Sequence, residues 1–319
     1  MKKVSVMLPT YNCEEFIVEC LESILGQNYD NIEIVICDDA STDATAVILQ
    51  DFKSRYPTKI NLCINETNLG ITLNCNKALA SCTGDYVSFF AGDDVMLPGK
   101  ISEQVRMLDA DDEASFCYHR VEIFDNEDGT TLSITEPKRT IFSFFDIIEK
   151  GGLPGANSVL AKRHLIPNEG YNIKIPAVSD WLFFIELALR GKIIFSTNIL
   201  SKYRKHPDGC SAKADFLITE TLETVELISR RFRQHPKIVS SCRKAKVRYL
   251  LGSIARLIKV NDSEHLARVN EEHVRYASIV LYAAVWIYVK SGLPKLRVGE
   301  KIFHVIKYTK SKLENGVGK

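Results

Sequence analysis

Nothing in the sequence encodes a disulfide framework or a zinc ribbon. The 319 residues hold nine cysteines, an odd number, and no two stand as Cys-x-x-Cys. Structural zinc sites and small disulfide scaffolds both need regular cysteine spacing. Cys13, Cys20, Cys37, Cys63, Cys75, Cys82, Cys117, Cys210 and Cys242 therefore read as small buried hydrophobes. Long apolar runs are missing too. The most apolar stretch, residues 278–289, has twelve residues. A helix that spans a bilayer needs about twenty, so this one reads as a buried helix. The first residues, Met1-Lys2-Lys3-Val4-Ser5-Val6, pass straight into a strand-like pattern. They lack the apolar core and small-residue cleavage site of a signal peptide, and a cytoplasmic protein is expected. No fixed-period repeat or low-complexity tract appears, which excludes solenoids and biased linkers.

What is present is ordinary globular composition, 45% hydrophobic and 25% charged. The length suits one large domain and a smaller one. Charge divides along the chain. Residues 213–319 carry 21 Lys+Arg against 10 Asp+Glu, a net of +11, and the remainder carries 20 against 30, a net of −10. An acidic first part suits a site that holds a cation. A basic last part suits an anionic partner such as a membrane surface, or is simply a solvated helical face. Proline and glycine thin out after about residue 212, where helical periodicity takes over. We expect one domain at 1–212. A basic, all-helical region at 213–319 would serve membrane docking or oligomerisation. About four helices are expected there, broken near Pro236, Asn261-Asp262 and Gly292-Leu293-Pro294.

Strand and helix signals alternate through the first hundred residues. Residues 4–8, 32–37, 59–64 and 86–90 are apolar or β-branched runs. Between them, residues 14–27, 43–56 and 71–82 carry apolar positions at helical spacing. Such alternation implies βαβ units and a mostly parallel sheet flanked by helices, a Rossmann-like α/β fold. Ligands of such sheets sit beyond the carboxyl ends of the strands, where Pro9-Thr10, Asp38-Asp39 and Asp93-Asp94 fall. Residues 115–211 are mixed. A strand at 116–124 leads into a turn at 125–129, and a loop at 151–155 precedes a strand at 158–161. A helix at 180–190 ends at Gly191, which reads as a glycine cap.

Two adjacent carboxylates repel each other unless a cation lies between them, and hard divalent cations prefer carboxylate oxygens. One Asp-Asp pair is weak evidence, because turns favour aspartate. Two pairs at strand ends of one parallel sheet put four carboxylates on one rim.

The segments Val4-Ser5-Val6-Met7-Leu8-Pro9-Thr10-Tyr11-Asn12 and Ile36-Cys37-Asp38-Asp39-Ala40-Ser41-Thr42-Asp43 come first. Asn68-Leu69-Gly70, Asn76, Gly84-Asp85-Tyr86 and Asp93-Asp94 follow in order. Together they resemble the family 2 glycosyltransferases with the GT-A fold, of the inverting, bacterial surface-polysaccharide type. The resemblance covers roughly residues 3–211. It implies that Pro9, Thr10 and Tyr11 line the nucleotide pocket and that Asp39 accepts a hydrogen bond from the base. It places Asn76, Asp93 and Arg204 on the donor side, with Arg204 at the phosphates. Asp94 matches the metal-binding aspartate, and His206, in Tyr203-Arg204-Lys205-His206, approaches the metal or diphosphate. Asp180, in Val178-Ser179-Asp180-Trp181, matches the catalytic base, although aspartate also caps helices well. Asn157 and Trp181 fall at the sugar and acceptor pocket. Three positions depart from the pattern. Ala91 stands where many members have a further Asp, Cys75 where many have Arg, and Ser179 where many have Glu.

The resemblance further implies Mn2+ or Mg2+ as cofactor and a nucleotide-diphosphate sugar, typically a UDP-sugar, as donor. The acceptor would be a saccharide, including polyprenyl-diphosphate-linked ones, in surface polysaccharide biosynthesis. Peripheral association with the inner membrane and a homo-oligomer are left open, as is the choice among UDP, dTDP and GDP. Two alternatives remain. A sugar-nucleotide nucleotidyltransferase would need a glycine-rich basic loop after the first strand, and Pro9-Thr10-Tyr11-Asn12-Cys13-Glu14-Glu15 is not one. A non-catalytic nucleotide-sugar-binding protein would keep the fold without turnover. No nucleic-acid recognition motif is present, and no nucleic-acid partner is expected.

Overall fold

The computed structural model describes residues 1–136, 140–176, 179–207, 209, 214–259, 263–269 and 271. The chain divides into two compact units, Met1–Ala212 and Lys213–Lys319, which are described separately.

The first unit is built on one nine-stranded sheet. Strands β1 (Val4–Thr10), β2 (Ile32–Asp38), β3 (Ile60–Ile64) and β4 (Tyr86–Phe89) pair in parallel, in the order β3-β2-β1-β4. Val4, Val6, Leu8, Ile34, Ile36, Val87 and Phe89 are buried. Parallel strands covered on both faces carry such near-continuous apolar runs, which is why these four were legible as strands. The helices between them are α1 (Ile17–Leu25), α2 (Thr45–Arg55) and α3 (Ile71–Ala80). In α1 the buried residues Ile17, Cys20, Leu21 and Ile24 form one stripe at helical spacing.

The sheet then becomes mixed. Strand β8 (Leu160–Lys162) lies antiparallel between β4 and β6 (Ala114–Asp125), β9 (Lys192–Lys205) runs parallel to β6, and β5 (Val95–Met96) closes the edge antiparallel to β9. β7 (Thr131–Ile134) pairs with β6 through the turn at 125–129. Helix α4 (Lys100–Asp109) packs on β6, and α5 (Phe144–Lys150) on α6 (Ser179–Ala188). Strand β5 has only two residues, yet it fixes the site. Its register sets Val95 opposite Lys202, so the preceding Asp93-Asp94 comes to lie beside the end of β9.

The second unit contains α7 (Ala214–Arg231), α8 (Pro236–Lys259) and α9 (Ser263–Val269) around Ile218, Leu222, Leu250, Leu251, Ile254, Leu257, Leu266 and Val269. The break expected near Pro236 falls at the start of α8, where the missing proline N–H costs nothing. Among the described residues no helix is long and apolar enough to cross a membrane. The apolar stretch at 278–289 and the break at 292–294 lie outside the described residues.

The reading of Gly191 as a helix cap is corrected. The helix ends at Ala188, and Gly191 is not among the glycines with positive φ. Its role is close approach. A Cβ there would come within 2.6 Å of the Glu113 carbonyl and 2.9 Å of the Ser115 amide. Because both neighbours are backbone atoms, Gly191→Ala is expected to lower the unfolding free energy by about 1–3 kcal/mol, measured by urea denaturation.

Candidate functional site

The turn after β4 carries Asp93 and Asp94, and the two differ in environment. Asp94 is buried, 2% exposed. Its Oδ1 accepts a hydrogen bond from the Arg204 backbone amide at 3.1 Å. Burial, and next the charge of Asp93, push its pKa well above the usual carboxylate range; the Arg204 amide, the Asn157 side chain and the Arg204 charge oppose this. The Asp93 side chain is 26% exposed, and its Oδ2 lies 3.2 Å from His206 Nε2. The His206 ring packs against Phe16 with centroids 4.8 Å apart.

Arg204 braces this turn from behind. Its Nε donates to the Asp93 carbonyl at 2.8 Å, Nη1 to Asn126 at 2.9 Å and Nη2 to Glu19 at 2.5 Å. The guanidinium lies 4.9 Å from the centroid of Phe16 and 4.7 Å from that of Phe124. Three of its five N–H groups are thus engaged within the protein, where a place at the donor phosphates was expected. The planar fork is spent on the backbone of Asp93 and on two side chains, between two rings, and the side chain is 8% exposed. Arg204 positions Asp93 and Asp94. Glu19 and Asn126 were missed in the sequence because they lie 185 and 78 residues away and belong to no motif.

Asn157 is buried beside Asp94, and its Nδ2 donates to the Lys202 carbonyl at 3.4 Å. Its Oδ1 has no partner. A buried acceptor left without a partner is uncommon in folded proteins. Among the described residues no three His, Cys, Asp or Glu side chains converge as a metal cage. Asp93 and His206 give two donors, and His206 meets Asp93 rather than Asp94. Mg2+-type cations commonly take one or two carboxylates and complete their shell with substrate phosphates and water. The residues fit a divalent cation shared with a diphosphate, and they do not fit an all-protein site.

The other end of the rim is built around Asp39. The backbone is left-handed at Asn12 (φ 46°) and Ala40 (φ 57°), and Asn12 Oδ1 accepts from the Thr42 amide at 2.8 Å, lacing the two loops together. Asp39 Oδ1 accepts from Asn65 Nδ2 at 2.9 Å and the Leu69 amide at 2.8 Å, and Oδ2 from the Gly70 amide at 2.8 Å. A carboxylate offers about four acceptor positions, so one remains on Oδ2. Thr10 is buried with Oγ1 3.3 Å from Asp38, Pro9 is half-buried, and Tyr11 is 49% exposed.

Three other expected residues follow. Asn76 clamps Tyr171, donating from Nδ2 to its carbonyl at 2.9 Å and accepting from its amide at 2.7 Å. Asn76 thus holds the 170–175 loop with one donor and one acceptor of its amide. Trp181 is 6% exposed and its Nε1 donates to the Ile147 carbonyl at 3.3 Å, which puts the ring in the core rather than on a pocket wall. Asp180 stands in the first turn of α6, where its Oδ1 accepts from the Trp181 amide at 2.7 Å. Burial raises its pKa. Asp180 and Asp39 both act on Cys75, whose thiol is pushed up to about 12 by burial first, then by Asp180, Cys37 and Asp39. Val178 and Ser211 lie outside the described residues.

The brace makes a measurable demand. Arg204→Ala is expected to lower the unfolding free energy by about 2–4 kcal/mol, because it strands buried partners. Glu19→Gln, on a side chain 59% exposed, should cost below about 1 kcal/mol. Parallel urea titrations of both variants check the difference.

Residues 5–166 match Glycosyl transferase family 2. Among curated proteins, the chain is 42% identical over 107 residues to a putative glycosyltransferase, EpsE, of Bacillus subtilis, covering 34% of this chain and 38% of that protein. It is 28% identical to the Escherichia coli UDP-Glc:alpha-D-GlcNAc-diphosphoundecaprenol beta-1,3-glucosyltransferase WfaP, covering 66% of this chain and 81% of that protein. The match thus spans less than half the length of EpsE. Two solved structures share the fold. One is S. aureus TarS 1-349 with UDP (TM-score 0.62, 16% identity, covering 98% of this chain and 92% of that one). The other is the mannosyltransferase PcManGT from Pyrobaculum calidifontis with GDP-Man and Mn2+ (TM-score 0.60, 18% identity, 96% and 84%). The mixed sheet with its parallel βαβ half is the GT-A arrangement that the motifs implied. With the match covering residues 5–166, about half of the chain, the chain belongs to glycosyl transferase family 2.

Proposed function

We propose that the protein is an inverting glycosyltransferase that moves a hexose or N-acetylhexosamine from a UDP-sugar to a saccharide of surface polysaccharide biosynthesis. The observation that carries this reading is the pairing of Asp93 with His206 at 3.2 Å, beside a buried Asp94, at the carboxyl rim of a parallel sheet. WfaP acts, by its name, with UDP-Glc on a diphosphoundecaprenol-linked sugar, and TarS was solved with UDP, which supports the donor and a lipid-linked acceptor. PcManGT was solved with Mn2+, which supports the metal.

Asp39 keeps one acceptor position for an N–H of the base, while the loops around Thr10 and Tyr11 flank it. Asp93 and His206 would hold the divalent cation. When bound, it neutralises charge developing on the leaving diphosphate. Asn157, buried beside Asp94 with its Oδ1 unpaired, is the residue that would meet a sugar hydroxyl. Asp180 accepts the proton of the acceptor hydroxyl as that oxygen attacks the anomeric carbon from the face opposite the diphosphate. A single displacement inverts the configuration, so an α-linked donor gives a β-linkage. A base must be unprotonated, and burial raises the pKa of Asp180. The rate should therefore fall on the acid side at a pH above the ordinary aspartate range.

The acceptor side has a counterpart in the second unit. Between residues 226 and 248 stand eight basic residues and one acidic one, Glu226. Arg230, Arg231, Arg233, Lys237, Arg243 and Lys244 are exposed. Glu226 bridges Arg230 at 3.0 Å and Lys246 at 3.7 Å. A basic helix pair of this kind suits an anionic bilayer, where each cation contributes about 1 kcal/mol, and where a lipid-linked acceptor would be met.

Two experiments test the reading. Calorimetry with UDP, dTDP and GDP, with and without Mn2+, should show Mn2+-dependent binding of UDP that Asp93→Ala abolishes. Asp180→Asn should keep that binding and lower turnover by about 10²–10⁴-fold. Loss of binding and turnover together in Asp180→Asn would remove it from the role of base. For the bilayer, the triple variant Arg233→Glu, Lys237→Glu, Arg243→Glu should release the protein from phosphatidylglycerol vesicles in a flotation assay. Unchanged flotation would sink the docking idea.

A further inference from the structure

Strands β2 and β3 pair in parallel with Cys37 opposite Cys63, so the two side chains leave the same face of the sheet. Neighbouring strands lie about 4.8 Å apart, and disulfides join Cα atoms about 4.4–6.8 Å apart. Cys37 is fully buried, whereas Cys63 is half-buried on the edge strand. A small reagent therefore reaches Cys63 first, with Cys37 directly behind it.

We propose that Cys37 and Cys63 form a modification site, a dithiol that hydrogen peroxide or a small-molecule disulfide closes reversibly and that thereby weakens donor binding. With peroxide, the Cys63 thiol becomes a sulfenic acid and one water is released. The Cys37 sulfur then attacks the Cys63 sulfur, the S–S bond forms, and the departing hydroxide takes the Cys37 proton as a second water. Two thiols lose two electrons, and the peroxide gains them. With a disulfide reagent, the same two steps release two reagent thiols. Burial and the neighbouring Cys63 push the Cys37 thiol up to about 12, so the second step quickens as pH rises.

Closure has a structural consequence. A disulfide needs Cβ atoms about 3.5–4.5 Å apart, closer than the strand spacing, so it strains the ladder and is readily reduced. The strain falls on the supports of Asp39. Asn65, two residues beyond Cys63, donates its backbone amide to the Asp38 carbonyl at 2.8 Å and its side-chain amide to Asp39 at 2.9 Å. The Cys37 carbonyl accepts from Asn74 Nδ2 at 2.8 Å. The effect on donor binding rests on the function proposed above, whereas the covalent chemistry does not.

The test treats the full chain with hydrogen peroxide or oxidised glutathione at pH 8.5, blocks the remaining thiols and maps the digest by mass spectrometry. The expected product is a Cys37–Cys63 linked peptide pair, reopened by dithiothreitol and absent from Cys63→Ser, a half-buried edge position that tolerates serine. Calorimetry with UDP should show affinity about fivefold or more weaker in the oxidised protein, with oxidised Cys63→Ser unaffected. A Cys63 capped alone while Cys37 remains free, or a link from Cys37 to the nearby Cys75, overturns the dithiol. A Cys37–Cys63 link with unchanged UDP affinity overturns its effect on the donor. If the reduced protein binds no nucleotide, the donor reading fails, and the linked peptide still decides the dithiol.

Discussion

Everything at the site depends on holding two adjacent aspartates at one strand end, one of them in the protein interior. A buried carboxylate beside a second one is unfavourable as a pair of anions, and the fold supplies fixed donors in compensation. Arg204 gives its backbone amide to Asp94 and its Nε to the Asp93 carbonyl, so one residue of β9 addresses both halves of the turn. The guanidinium is in turn fixed by Glu19, Asn126, Phe16 and Phe124. Helix α1, the end of β6 and the end of β9 thus converge on the turn, and the short β5 sets their register.

That architecture divides the carboxylates by task. Asp38 and Asp39 are saturated or nearly so by internal donors: Asp38 holds Ser41 and Thr10, and Asp39 holds Asn65 and the entrance to α3. Asp93 keeps its carboxylate toward solvent beside His206. Asp180 stands apart on α6, and both it and Asp39 act on Cys75. Where many relatives would have an arginine at position 75, the two carboxylates here share a neutral buried thiol. A cation absent from that spot leaves both acids more dependent on burial and hydrogen bonds, in keeping with the raised Asp180.

The parallel half of the fold was legible because strands buried on both faces read as apolar runs and end in Asp-Asp. The turn at 125–129 was legible from its polar residues and Gly129. What the sequence could not show is long-range and side-chain in nature. Two residues of β5 carry no periodicity, and the partner of Arg204 lies 185 positions away. Asn76 and Trp181 sit in recognisable motifs, yet each is spent on a backbone carbonyl inside the protein. Motif membership located them in the chain and said nothing of these contacts. Gly191 followed a helix, as caps do, but its purpose was contact with Glu113.

The account stands or falls on whether the Asp93–His206 pair holds a cation jointly with a nucleoside diphosphate. Electron paramagnetic resonance of Mn2+ measures this directly through loss of the free-ion signal. The account predicts weak Mn2+ uptake by the protein alone, strong uptake when UDP is added, and loss of the UDP-dependent part in Asp93→Asn and in His206→Ala. Tight UDP binding that leaves the Mn2+ signal unchanged, or UDP-dependent uptake that survives both substitutions, would contradict it.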